Sequence, residues 1–209
     1  MKISKPAVTA LVIVASVVFI NAVRLLMDRA RRLSPSQVSA ARTKGNPRAP
    51  IRIVEYIDFQ CPGCISGSLL LKEYIEKYPA QIYLELKYYP LSQIHRHALK
   101  TAVYSECAAR QNNFWPFFYT MLEKRSVWER MINPDSLFID IAKQLRLNIP
   151  KFQSCAENEK TKTDVLNEKA EGRARGVQST PTYFLNGKML TGPKPLREEL
   201  EKFFKGDSL

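Results

Sequence analysis

Cysteine is scarce in this chain, four residues in 209. That excludes a small fold stapled by disulfides and leaves apolar burial to supply the core. Acidic residues are nearly missing from the first 50 positions, where Asp28 stands alone against nine Lys/Arg, a surplus of eight within a total net charge of +12. Residues 51–209 therefore carry a surplus of only four, which does not make the basic footprint of a phosphate or nucleic-acid binder. Histidine occurs twice, at His95 and His97 on either side of Arg96, with no carboxylate or cysteine at ligand spacing. A solvated loop or a helix start explains the pair better than a metal site. No internal repeat or low-complexity tract is present, and 45% hydrophobic with 25% charged residues excludes disorder, collagen and a coiled coil.

What is present begins with an uncharged run of 18 residues from Pro6 to Val23, interrupted mildly by Thr9, Ser16 and Asn21. This is the lower limit for a membrane span, and no polar face divides it as in a buried soluble helix. Ile20-Asn21-Ala22 makes a poor cleavage site and Ser39-Ala40-Ala41 lies too far downstream, so an uncleaved anchor over residues 1–33 is favoured over a removed signal. Lysines before the run and arginines after it favour a cytoplasmic C-terminal domain by the positive-inside rule. Residues 34–50, with Ser34, Pro35, Ser36, Gly45, Pro47 and Pro50, lack an apolar period and suit a linker.

The remaining chain, 51–209, changes period in a recognisable order. Residues 51–57 are β-branched and almost continuously apolar, as a strand covered on both faces requires. A helix is expected from Pro62 to about Tyr78, because proline suits a first helical turn and Leu69, Leu70, Tyr74 and Ile75 recur at helical spacing. Residues 82–88 alternate as a second strand, parallel to the first because a helix joins them. Helical stripes then run for about ninety residues, including Leu99, Val103 and Cys107, and Leu137, Ile141 and Leu145 after an Asn133-Pro134 cap. Residues 182–185, the turn pair Asn186-Gly187 and residues 188–190 make a hairpin, and a helix over 196–204 closes the chain. The order is an α/β layer fold with a helical insertion at about 92–175.

Cys61-Pro62-Gly63-Cys64 lies where the first strand ends and the helix begins. There the first cysteine meets unpaired helix N–H groups and the positive end of the macrodipole, which favour thiolate, while the second lies one turn in and shielded. Half of a zinc site is the competing reading. It is weak because Cys107 and Cys155 are isolated and supply no second close pair.

On these residues the chain resembles the DsbA-like branch of the thioredoxin superfamily over about residues 51–204. The resemblance is carried by Glu55 to Cys64, by Tyr89-Pro90-Leu91 with His95 and Ala98, by Glu106-Cys107-Ala108-Ala109 with Phe114-Trp115, and by Gly176 to Gly187. It implies a thioredoxin-like fold and thiol:disulfide exchange at Cys61 and Cys64, with no cofactor beyond that redox pair. It also implies that Pro181 is a cis-proline facing the pair and that Thr180 offers its backbone to substrate. The clients implied are cysteine-containing proteins, outside the cytoplasm in the periplasm or cell envelope. The electrons would pass to a membrane redox partner, a quinone-linked oxidase of DsbB or VKOR type, or come from a reductase. The location opposes the charge rule. Gly63 departs from the family, which commonly carries a larger residue in the active-site dipeptide Pro62-Gly63.

Glu55 has two readings, an edge-strand charge reaching solvent or a desolvated carboxyl with a raised pKa that carries the proton of Cys64. The family has an acid at the matching position, which favours the second. Cys107 and Cys155 are either small buried hydrophobes or, as the family often has a cysteine pair in this block, a structural disulfide. A bridge across their separation of 48 is worth about 4 kcal/mol in the loop-entropy account. The aromatic cluster from Phe114 to Tyr119 suits the core of the insertion better than a binding platform.

Overall fold

A computed structural model of the chain describes residues 16–23 and 40–204. They belong to two separate units, Met1–Ser36 and Gln37–Leu209. In the first, residues 16–23 are helical. Most of the apolar run read as an anchor lies outside the described residues, and so do residues 34–39 of the linker. Among the described residues no helix is long and apolar enough to cross a membrane.

The second unit is built on strands β1 (Thr43–Gly45), β2 (Ile51–Ile57), β3 (Ile82–Tyr88), β4 (Thr182–Leu185) and β5 (Lys188–Thr191), in the spatial order β1-β3-β2-β4-β5. The parallel pair β2 and β3 is joined through helix α1 (Pro62–Lys77), the crossover that parallel pairing needs. The other three pairings are antiparallel. Helix α1 and the closing helix α8 (Pro193–Phe204) bury Leu70, Leu71, Ile75, Leu196 and Leu200 with Ile51, Ile53 and Leu84 of the sheet. β2 is central and covered, which is why its apolar residues are nearly continuous.

The helical insertion comprises α2 (Ala98–Ala109), α3 (Phe114–Glu123), α4 (Arg125–Trp128), α5 (Asp135–Gln144), α6 (Ile149–Glu157) and α7 (Glu159–Ala174). Pro134 stands just before α5 as its N-cap, not within the first turn. Phe114, Phe117, Phe118, Trp128, Phe138 and Phe152 are buried together, so most of the aromatic cluster is core. A Cys107–Cys155 disulfide ties α2 to α6.

Part of the segment read as a linker is ordered structure. Residues Ala40–Arg42 form a 3-10 turn and β1 adds an edge strand antiparallel to β3. The cause is Arg42, whose guanidinium is buried and makes a two-pronged ion pair with Glu168 of α7, the Nη1–Oε2 contact being 2.9 Å. The same nitrogen donates to the Leu86 carbonyl at 2.8 Å, and the guanidinium carbon sits 4.4 Å from the centre of the Tyr88 ring. Glu106 of α2 lies 3.2 Å from Nε. A short run without an apolar period conceals this anchor, because one charged residue supplies the attachment.

Arg42→Ala should destabilise the domain by about 3–5 kcal/mol, since it leaves the buried Glu168 carboxylate without its cation. Urea denaturation checks this, and a loss under about 1 kcal/mol would show that the pair does not hold the segment.

Candidate active site

β2 ends at Ile57, and the chain turns through Asp58 to the N-cap of α1, which is Cys61. Pro62 occupies the first helical position, where a missing N–H costs nothing. No side chain caps this end through a hydrogen bond. The Cys64 N–H closes the first turn onto the Cys61 carbonyl at 3.1 Å, and the uncapped, electropositive end of the helix lies at the Cys61 side chain. Its sulfur is half-buried and donates to the Thr180 carbonyl at 3.1 Å. The Thr180–Pro181 bond is cis. A Cβ on Gly63 would come within 3.1 Å of the Pro181 ring and 3.9 Å of the Cys61 sulfur, so the glycine lets the helix start lie close against the proline.

The two cysteines differ sharply in environment. Hydrogen bonding from the Cys64 side chain, aided by Thr180 and the backbone at the helix start, pulls the Cys61 thiol down to about 5 against partial burial. Burial, then the neighbouring Cys61 sulfur, pushes Cys64 well above the usual thiol range. Cys64 receives a hydrogen bond from the Asp58 N–H at 3.4 Å. One turn of helix thus separates a thiolate-forming sulfur at the surface from a protonated one inside.

Glu55 is wholly buried in the middle of β2, with Leu86 beside it on β3 and Tyr183 on β4. Burial raises its carboxyl to about 8, while Ser68 and Tyr183 act the other way. Ser68 donates to Oε1 at 2.9 Å. The carboxyl is not at a sheet edge reaching solvent, because β2 has a strand on each side.

Several residues of this region carry no local sequence signal. Asp58 is buried, accepts from the Gln60 N–H and the Leu91 N–H, both at 2.7 Å, and pairs with His95 Nδ1 at 3.0 Å. It fixes the turn before Cys61 to the loop after β3. His97 is buried too, and its N–H donates to Gln60 Oε1 at 2.6 Å. The histidines are thus built into the support of the site, at the start of α2, and do not stand in an open solvated loop. Among the described residues no cluster of His, Cys, Asp and Glu is arranged to hold a metal ion.

A dithiol at a helix N-terminus, opposed to a cis-proline and backed by a buried acid, defines a redox module of the thioredoxin type. The chain belongs to the thioredoxin family, which it matches over residues 37–205. Its fold is that of DsbA-like thiol:disulfide oxidoreductases. It is similar to BdbD from Bacillus subtilis in the oxidised form, at 21% identity and a TM-score of 0.67, covering 78% of this chain and 92% of that one. Wolbachia pipientis alpha-DsbA1 superposes at 23% identity and a TM-score of 0.66, covering 78% and 89%. Curated relatives include the Na(+)/H(+) antiporter NhaA 3 of Salinispora tropica, 27% identical over 150 residues, which are 72% of this chain and 22% of that protein. An antiporter NhaA 1 of Mycolicibacterium gilvum matches at 27% over 77% of this chain and 26% of its own length. The chain spans about a quarter or less of these relatives, whose named transport belongs to them as whole proteins.

At pH 6, alkylation of the reduced protein should label Cys61 faster than Cys64 by at least about a hundredfold. Mass mapping after brief labelling checks this, and modification of Cys64 first would reverse the assignment. A second expectation concerns Glu55, whose folded value of about 8 lies above the ordinary 4.5. The neutral carboxyl is the form the fold favours, so this stability is complete below about 4.5 and is lost as pH rises through about 8. In the oxidised protein, where Cys61 and Cys64 do not titrate, Glu55→Gln should gain on the order of 4 kcal/mol relative to wild type between pH 5 and pH 9. Denaturation curves at the two pH values test it, and an unchanged difference would mean that Glu55 is not desolvated.

Proposed function

We propose that this protein exchanges disulfides with cysteine-containing client proteins through Cys61 and Cys64, acting as an oxidant outside the cytoplasm. The observation that carries the reading is the asymmetry of the two sulfurs. A low-pKa nucleophilic cysteine stabilises the reduced form of a dithiol, which makes its disulfide the stronger oxidant. In the oxidising direction a client thiolate attacks Cys61 of the Cys61–Cys64 disulfide. The client–Cys61 bond forms and Cys64 leaves as a thiolate that takes up a proton, with Glu55 as the donor inside the domain. The client's second thiolate then attacks its own sulfur in the mixed disulfide. Cys61 leaves as the thiolate its surroundings favour, and the client departs with a new disulfide. The two electrons remain on the Cys61–Cys64 dithiol until a membrane redox partner, a quinone-linked oxidase of DsbB or VKOR type, removes them.

Thr180 and Pro181 face Cys61 from the sheet side and offer the backbone along which an extended client segment would pair. The Cys107–Cys155 bridge supports an oxidising compartment, since structural disulfides persist there. The uncharged run from Pro6 to Val23 would hold the domain at the membrane face, with the cell envelope or periplasm on the catalytic side.

Equilibration with glutathione should place the Cys61–Cys64 potential above about −180 mV, and Cys64→Ala should trap clients covalently on Cys61. A potential near the −270 mV or so of thioredoxin would make the protein a reductase. Absence of trapped clients with retained peptide binding would make it a non-catalytic module.

A further inference from the structure

The buried polar groups behind Cys64 do not end with Glu55. Tyr183 stands directly beside it in the sheet, register partner of Glu55 across the antiparallel β2–β4 pair, and is fully buried. Two residues separate it from Thr180 and only one from Pro181, so the strand that presents substrate backbone also carries this hydroxyl. α1 covers the same place with Cys64, Gly67 and Ser68, which share a helix face because they are three and four residues apart. Ser68 holds Glu55 Oε1. A Cβ on Gly67 would fall 1.8 Å from the Tyr183 hydroxyl oxygen, so that oxygen fills the notch left by the missing side chain, between Cys64 and Ser68.

Tyr183 as plain core filling does not account for this arrangement. Phenylalanine would pack the same ring without a buried hydroxyl, and the nearest approach to a Cβ at position 67 would ease from 1.8 Å to the 3.1 Å of the ring carbon. In the observed structure the Tyr183 hydroxyl and Glu55 Oε2 are both buried without a hydrogen-bond partner. Leaving two such groups unpaired costs stability, which a purely structural contact does not explain. The hydroxyl lies close enough to feel the charges of Glu55, Cys64 and Cys61, in that order after its burial. Glu55 has other ionisable neighbours as well. Tyr119 of α3 senses its charge, and Lys44 of β1, Lys72 and Glu76 surround Tyr119.

We propose that Tyr183 is a positioning residue for proton exchange at Cys64, its hydroxyl donating to the Glu55 carboxylate when that group is charged and so keeping the carboxylate available as the base. In the reverse half of the reaction Cys61 carries a mixed disulfide. The Cys64 thiol gives its proton to Glu55, and the Cys64 thiolate attacks the Cys61 sulfur. The Cys61–Cys64 bond forms, the bond to the partner sulfur breaks, and the partner leaves as a thiolate with the electron pair. Cys64 is oxidised from thiolate to disulfide sulfur, Cys61 stays at the disulfide level, and the partner sulfur is reduced. In the forward direction Glu55 returns the proton to the departing Cys64 thiolate. Tyr183 touches neither client nor partner sulfur in this scheme and acts through Glu55.

The inference rests on the exchange reading above, and the test separates the two. The glutathione mixed disulfide on Cys61 is prepared in the full chain, and release of glutathione by Cys64 is followed from pH 5 to pH 10. In Tyr183→Phe, release at pH 7 should slow by about tenfold, the loss expected when a hydrogen bond to a charged group is removed. Its pH midpoint should move upward by about one unit, while the pH profile of Cys61 alkylation stays where it was. In a Glu55→Gln background the same change should alter release less than about twofold, because its route of action is gone. A superimposable pH profile, an effect that multiplies fully with Glu55→Gln, an equal shift at Cys61, or a Tyr183→Phe chain that fails to fold would each overturn the proposal. Should wild type form no mixed disulfide with glutathione, the exchange reading itself fails. If wild type forms and resolves it while Tyr183→Phe is unchanged, only the role of Tyr183 is lost.

Discussion

The chemistry of this domain depends on where one helix begins. α1 starts at Cys61 with proline at its first position and no side-chain cap, so the electropositive end of the helix lies at a thiol. Ordinarily Ser, Thr, Asp or Asn would satisfy such an end. Placing a cysteine there couples the helix terminus to the ionisation of a thiol, and the same geometry sets both the fold at the junction and the reactivity of Cys61. Asp58 completes the constraint from the other side. Its backbone and side chain hold the turn before the helix, the loop after β3 and the Cys64 sulfur together. Loosening any of these contacts would move the helix start relative to Pro181.

Behind the helix start, solvent access divides the labour among groups only a few residues apart. Cys61 keeps partial contact with solvent and gains more from hydrogen bonds than it loses by burial. Cys64 gains too little from its neighbours to offset desolvation and holds its proton. Glu55, deeper still, is in the same position even with two polar neighbours. A buried thiol that must ionise during turnover needs a nearby acceptor whose own proton affinity is raised, and a carboxyl near 8 suits that exchange better than one near 4.5. The energetic cost is a carboxyl that weakens the fold as the pH rises through about 8.

The helical insertion and the ordered end of the linker act as a frame for this site. Aromatic packing around Phe118 reaches Phe59, at 5.4 Å between ring centres, immediately before the active-site turn. The bridge between Cys107 and Cys155 limits separation of α2 and α6 in the unfolded as well as the folded chain. At β3, Arg42 over the Tyr88 ring and Lys87 neutralise Glu168 and Glu171 of α7, with 2.6 Å between Lys87 Nζ and Glu171 Oε1. These buried pairs fix how α7 lies on the sheet, more as a matter of register than of net stability.

Much of the architecture was legible in the order of residues because it follows from periods along the chain. The apolar run at 51–57, the alternation at 82–88, the Asn186-Gly187 turn and the CPGC at a strand–helix junction are local patterns, and each lies on the corresponding element. Glu55 could be singled out as an acid in an apolar strand, yet its two readings differed only in whether β2 is central or at an edge, which spacing does not encode. The same holds for Arg42, in a stretch with no period, and for Asp58 and the histidines, whose partners are 33 to 37 residues away. An aromatic in a strand and a glycine in a helix, Tyr183 and Gly67, are 116 positions apart and carry no local sign of their meeting. Only the packing of α1 on β4 showed that a hydroxyl occupies the space of the missing side chain. The sequence by itself determined the elements and the reactive pair, since those depend on neighbours in the chain. The tertiary structure alone decided which charges lose their water, since desolvation depends on what packs over a residue from elsewhere.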